Sequence, residues 1–223
     1  MVQIITVYGS LLMRAMGQTM LLALWGLLFG TLLGLVFGLL SVVRNKVCNG
    51  IQIVYVYLVR GVPMIVLAFF VFFGVPYALN NILGLGVTLT ALQAGTICLA
   101  LNCGAYMSEI VRAGIQSVDK GQMEAARSLG LPYWRGMQRI VLPQAIRTMI
   151  PTIVNQFIIT LKDTSILSVI GFPELVNRAK NVQANTFNAF GTWAIVGLMY
   201  LIIVTILSIF AKWLERRLAR GRE

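Results

Sequence analysis

Three stretches of this chain carry no charged side chain: between Arg14 and Arg44, between Arg60 and Glu109, and between Lys180 and Lys212. Each exceeds the ~20 apolar residues that a helix needs to cross a hydrocarbon core of about 30 Å. The 223 residues are 58% hydrophobic and 11% charged, against roughly half and one quarter in soluble proteins. These features exclude a soluble globular enzyme and predict an all-α integral membrane protein.

The net charge of +11 would suggest nucleic acid as a partner of a soluble domain. Here the basic residues lie between and after the apolar runs, where orientation signals belong, so a lipid bilayer is expected and nucleic acid is not. Cys48, Cys98 and Cys103 lack metal or redox spacing and the chain has no histidine, so no metal site is expected and the cysteines read as small buried apolar residues. The first apolar run has no early positive charge and no small-residue cleavage site ahead of it, and reads as a retained span.

Five spans are predicted, at about 16–43, 51–77, 89–111, 145–161 and 193–213, within one transmembrane domain over 1–223. The first carries Gly26, Gly30, Gly34 and Gly38, a stripe of small residues that lets another helix approach closely, within the chain or across a subunit interface. The second is interrupted at Arg60–Gly61–Val62–Pro63, a predicted kink or irregular turn. Gly74–Gly86 and Lys162–Asn188 read as loops, the latter with an apolar patch at Ile166–Phe172. Trp193 and Trp213 suit the two aromatic interfaces of the last span. With the N-terminus outside, thirteen basic residues fall on the cytoplasmic side and four outside, Arg60 being uncounted within a span. This predicts an N-out, C-in topology. The basic tail beginning at Lys212 reads as a surface for anionic headgroups.

Between the third and fourth spans the segment Arg112–Gln144 is polar. It contains a short helix predicted at about 120–129, with Asp119 able to cap its start, Gly130 able to supply a left-handed stop, and Pro132 preventing continuation. A helix of about ten residues is marginal alone in water, so its stability is expected to come from docking. Ala125 and Ala126 offer a slim face, with Glu124 and Arg127 at its ends.

Glu124-Ala125-Ala126, followed by Gly130, Ile140 and Leu142-Pro143 at their respective spacings, resembles the EAA signature of bacterial ABC importer membrane subunits. Arg60-Gly61-Val62-Pro63 resembles the RGTP element, with Val62 in place of the usual Thr. Asn102-Cys103-Gly104-Ala105-Tyr106 with Glu109 resembles the third-span pattern, and Lys162-Asp163-Thr164-Ser165 the KDTS element. Together they resemble the polar amino acid permease branch from about Gly17 to the tail.

The resemblance implies a type I importer fold in the bacterial cytoplasmic (inner) membrane, with a cytoplasmic coupling helix at about 120–129. It implies a second permease subunit, identical or a sister chain, a cytoplasmic ABC ATPase dimer, and an extracytoplasmic amino acid binding protein. Glu124, Ala125, Ala126, Arg127 and Gly130 are then the ATPase contact. This chain has no Gly-rich loop followed by Lys-Ser or Lys-Thr, so no cofactor is expected on it and ATP with Mg would belong to the partner ATPase. The cargo would be a polar amino acid such as glutamine, arginine or histidine.

Asn102, Asp163, Thr164 and Arg60 are the candidate substrate contacts: intramembrane polar groups usually face a bundle interior or water-filled cavity, and the resemblance implies that Asn102 and Asp163 line an amino acid site. Bland roles compete. Asn102 could bond across helices, Asp163 could belong to an exposed end cap, and Arg60 could pair with a carbonyl or Glu109. Glu109 and Arg112, three apart on one helix face, suit an ion pair. A different class, an ion- or proton-coupled amino acid carrier acting alone, is the alternative. No obvious inverted repeat supports it, and a non-transporting scaffold leaves the capped helix without a purpose.

Overall fold

The computed structural model describes residues 2–43 and 45–219, without the side chains of 218 and 219. Arg44, Arg220 and Arg222, used in the charge argument, lie outside the described residues. The described chain is a succession of helices: α1 (Val2–Val42), α2 (Lys46–Gly61), α3 (Met64–Leu83), α4 (Ala91–Gln116), α5 (Lys120–Ser128), α6 (Tyr133–Ile170), α7 (Leu175–Thr186) and α8 (Ala189–Ala219). Five of them, α1, α3, α4, α6 and α8, are long and apolar enough to cross a membrane.

The pair α1 and α4 forms the spine. Gly26, Gly30, Gly34 and Gly38 of α1 face Leu99, Cys103, Met107 and Val111 of α4, residue for residue at spacing four. A Cβ on these glycines would stand 2.6, 2.7, 2.2 and 2.6 Å from the facing Cβ atoms, where no real side chain fits. The glycine stripe is therefore consumed by packing within the chain, one of the two uses the sequence allows. Without a hydrophobic drive between helices in lipid, close approach of this kind supplies the association energy.

Three clusters extend from this spine. Leu12, Ala15 and Met16 of α1 pack with Leu175, Ala179 and Val182 of α7 and Ile195 and Val196 of α8. Leu22, Cys98 and Leu99 meet Ala68 and Val71 of α3 and Leu167 of α6 in the middle. Val111 and Ile115 meet Val141, Ala145 and Met149 of α6 at the end that carries α5.

Several boundaries differ from the sequence reading. α1 begins at Val2, not near residue 16, and its 41 residues extend about 61 Å at 1.5 Å per residue. The kink expected at Arg60–Pro63 is a full break between α2 and α3. Val62 is extended at φ −102°, ψ 131°, as a residue before proline must be.

The expected loop Gly74–Gly86 is helical as far as Leu83. Phe70–Gly74 widens into a π turn in which the Val75 N–H donates to the Phe70 carbonyl. Pro76 falls in the first turn that follows, where the lost donor costs least. Gly84 at φ 63° then ends the helix.

The expected loop Lys162–Asn188 also contains helix. Its apolar patch continues α6 as a 3₁₀ turn over Thr164–Ile170, and Glu174 caps a new helix, α7.

Candidate functional site

The polar segment between α4 and α6 folds as the residues dictate. The Gly121 N–H donates to Asp119 Oδ1 at 2.7 Å, starting α5. At its other end the Leu131 N–H donates to the Ala126 carbonyl and the Gly130 N–H to the Arg127 carbonyl. This pair of bonds is a Schellman stop, and Gly130 supplies the left-handed residue at φ 81°.

One part of the expectation needs correction. Ala126 does not contribute to an outward slim face. It is only 1% exposed and packs against Gly136, which a Cβ would bring to 3.4 Å from the Ala126 Cβ and 2.9 Å from Met123 Sδ. Part of the stability of α5 therefore comes from the chain itself. The outward surface includes Glu124, Ala125 and Arg127, extended by Leu129 at 83% and Trp134 at 67% exposure. Apolar side chains left this open, beside charges and on a rigidly capped helix, form a surface suited to a protein groove. The sequence reading missed Leu129 and Trp134 as part of it.

The candidate intramembrane residues fall into separate places. Asn102 of α4 approaches Met64 at the start of α3, with 3.9 Å from Nδ2 to Sδ, and is part-buried. Asp163 is part-buried near the end of α6. α4 and α6 pack against each other, and Asn102 and Asp163 are part-buried on these two helices.

Thr164 is fully buried and donates to the Leu161 carbonyl at 2.7 Å. Arg60 lies one turn from Asn102 toward the α5 end, its guanidinium 4.6 Å from the centroid of the Tyr106 ring. The expected partner carbonyl or Glu109 bond is absent among the described residues. Glu109 instead accepts from Arg112 Nη2 at 2.6 Å, the ion pair the spacing suggested, and from Gln52 Nε2 at 3.1 Å.

Thr164 belongs to a different polar cluster, around Glu174. This carboxylate is fully buried outside the spans. It accepts from the backbone N–H groups of Val176 and Asn177 at 2.8 and 2.6 Å and from the Tyr200 hydroxyl at 3.4 Å. Burial outweighs these bonds and the nearby Lys180 charge, pushing its pKa up to about 7.

The folded state thus holds a proton that the unfolded chain releases near its ordinary value. Stability falls as pH rises from about 4.5 to about 7 and levels above that, by about 3 kcal/mol. Melting the detergent-solubilised protein between pH 5 and 8 should show this decline, and Glu174→Gln should flatten it. A wild-type profile rising with pH would contradict the assignment.

Residues 26–220 match the family described as binding-protein-dependent transport system inner membrane component. The chain belongs to that family. Among the permease's relatives are the glutamine transport system permease protein GlnP of Escherichia coli K12 and the probable glutamine ABC transporter permease protein GlnM of Bacillus subtilis 168. The first is 34% identical over 93% of each chain. The second is 41% identical over 75% of this chain and 74% of its own.

A chain in the crystal structure of an amino acid ABC transporter with histidines superposes on the permease with a TM-score of 0.87, at 33% identity over 96% of both chains. A chain of the MetNI methionine ABC transporter in inward-facing conformations gives 0.76 at 20% identity, over 93% of this chain and 96% of that one. The latter likeness concerns fold alone. The permease has the all-helical type I ABC importer fold and is a multi-pass protein of the bacterial inner membrane. It is a transport subunit; in its homologues the ATPase is a separate subunit, and systems of this family work with a substrate-binding protein. Among the described residues no group of three or more His, Cys, Asp or Glu could hold a metal ion.

Proposed function

We propose that the permease carries a polar amino acid inward, with glutamine as the first candidate, and that α5 is its coupling helix to a cytoplasmic ATPase dimer. The amino acid class rests on what the 34% and 41% identical relatives are named for, glutamine, and on the histidines in the 33% identical structure. The observation that carries the coupling role is the capped α5, projecting Glu124, Ala125 and Arg127 beside exposed Leu129 and Trp134. Buried Ala126 and the left-handed stop at Gly130 hold that surface in shape. ATP and Mg belong to the partner ATPase.

The whole chain, 1–223, acts as one transmembrane domain, N-out and C-in, so that α5 faces the cytoplasm. A second permease subunit, identical or a sister chain, completes the pathway, and an extracytoplasmic binding protein delivers the cargo. Asn102 and Asp163 are its contacts at mid-depth. An Asp suits an ammonium group, and an Asn can donate to a carboxylate while accepting from an amine. Buried Thr164 supports the backbone that presents Asp163.

Proteoliposomes containing the permease, its ATPase and its binding protein should accumulate L-glutamine only with ATP on the ATPase side. Uptake by the permease alone, driven by a proton or sodium gradient, would establish the carrier alternative. Asp163→Ala should lower glutamine uptake and weaken discrimination among amino acids while the ATPase still assembles. An unchanged selectivity profile would remove Asp163 from the pathway.

A further inference from the structure

Between α2, α4 and the end of α1 lies a cavity of about 720 Å³, lined by Gln52, Arg60, Tyr106, Glu109, Arg112 and Gln116 among others. Asn102, Tyr106, Glu109 and Gln116 follow one another at spacings of four, three and seven, one face of α4. The cavity thus begins one turn from Asn102 and runs toward the α5 end.

Its charges do not balance. Glu109 is engaged on both oxygens, by Gln52 at 3.1 Å and by Arg112 at 2.6 Å. The Nε of Arg112 is shut off from solvent and meets no acceptor. Arg60 makes no hydrogen bond or ion pair among the described residues, and its guanidinium carbon lies over the Tyr106 ring, 4.6 Å from the centroid. Two guanidinium groups therefore face one carboxylate, which leaves one positive charge in excess on Arg60, at the end of α2, outside the five spans and against α4. A planar carboxylate is the chemistry that completes it, since the guanidinium fork matches it bidentately.

We infer that this cavity is a second holding site for the cargo, gripping its α-carboxylate through Arg60 after it leaves Asn102 and Asp163. The inference rests on the amino acid reading above. Arg60 is the residue next to the Gly61–Pro63 break, so a change of angle between α2 and α3 moves the grip directly. The cargo is held or released according to the state of that break.

The test is equilibrium binding of radiolabelled L-glutamine to the purified, nucleotide-free permease–ATPase complex. It is done in the Asp163→Ala background, to isolate the second site, with unlabelled L-glutamine and its α-amide as competitors. Arg60→Gln should weaken binding about tenfold or more, the loss of one charge-assisted pair, and abolish the preference for carboxylate over amide. Arg60→Lys should keep part of both. Tyr106→Leu, which leaves the charge but removes its support, should give a smaller loss and provides the readout should Arg60→Gln fail to assemble.

Unchanged affinity and unchanged carboxylate preference in these variants would overturn the assignment. So would displacement of glutamine by phosphatidylglycerol with the same Arg60 dependence, which would make the occupant a headgroup phosphate. If wild-type proteoliposomes transport glutamine while the variants bind normally, only the cavity assignment falls. If the wild type neither binds nor transports glutamine, the amino acid reading falls and takes the cavity with it.

Discussion

Gly34→Val should leave the permease unable to accumulate as a folded, monodisperse protein. A Cβ at this position would stand 2.2 Å from the Cβ of Met107 and 3.0 Å from its carbonyl carbon, so relief requires the two backbones to separate and rotamer changes do not suffice. Overpacking a well-packed core costs typically 1–3 kcal/mol and occasionally more, and separation here would loosen the contacts on either side, at Gly30 and Gly38. Gly17→Val is the control, because nothing lies within 4 Å of a Cβ placed there. Size-exclusion profiles and melting temperatures in detergent would report the difference. Gly34→Ala combined with Met107→Gly, which transfers the missing side chain to the other helix, should recover part of the loss. Normal behaviour of Gly34→Val would refute the interlock between α1 and α4.

Gly130→Pro should separate ATP hydrolysis from transport. At φ 81° the position is closed to a ring that fixes φ near −65°, and the proline has no N–H to donate to the Arg127 carbonyl. The Schellman stop is lost, and Leu129 and Trp134 are displaced from the surface they complete. Glu124→Lys and Leu129→Asp test the same surface without touching the backbone. Removing one interface anchor costs about 2 kcal/mol, so uptake should fall about tenfold or more while the spans still insert. ATPase activity should no longer respond to loaded binding protein. Coupled transport at the normal rate in all three variants would refute the docking role of α5.

What the sequence revealed in advance was local or periodic. The spacing of four in the glycine stripe, the caps at Asp119 and Gly130, the break before Pro63 and the Glu109–Arg112 pair each involve residues close in the chain. The readings that changed depended on neighbours the sequence does not place. Pro76 read as a loop signal because the π turn that accommodates it has no mark beyond five apolar residues. α7 was hidden in a polar stretch, although Leu175, Ala179 and Val182 recur at spacings of four and three, the face that is buried. Ala126 could not be assigned inward without Gly136 lying beside it. The cavity joins α2 to α4 across more than forty residues of chain, and only Gln52 and Arg60, polar in an apolar run, hinted that one face of α2 meets something other than lipid.

The ladder of glycines has a consequence for how such a machine changes shape. Two rods meshed at four successive rungs cannot slide past one another without all the rungs disengaging together, so α1 and α4 travel as a single beam. Any change of shape must bend elsewhere, and the unlaced backbone at Val62 and Pro63 offers such a place.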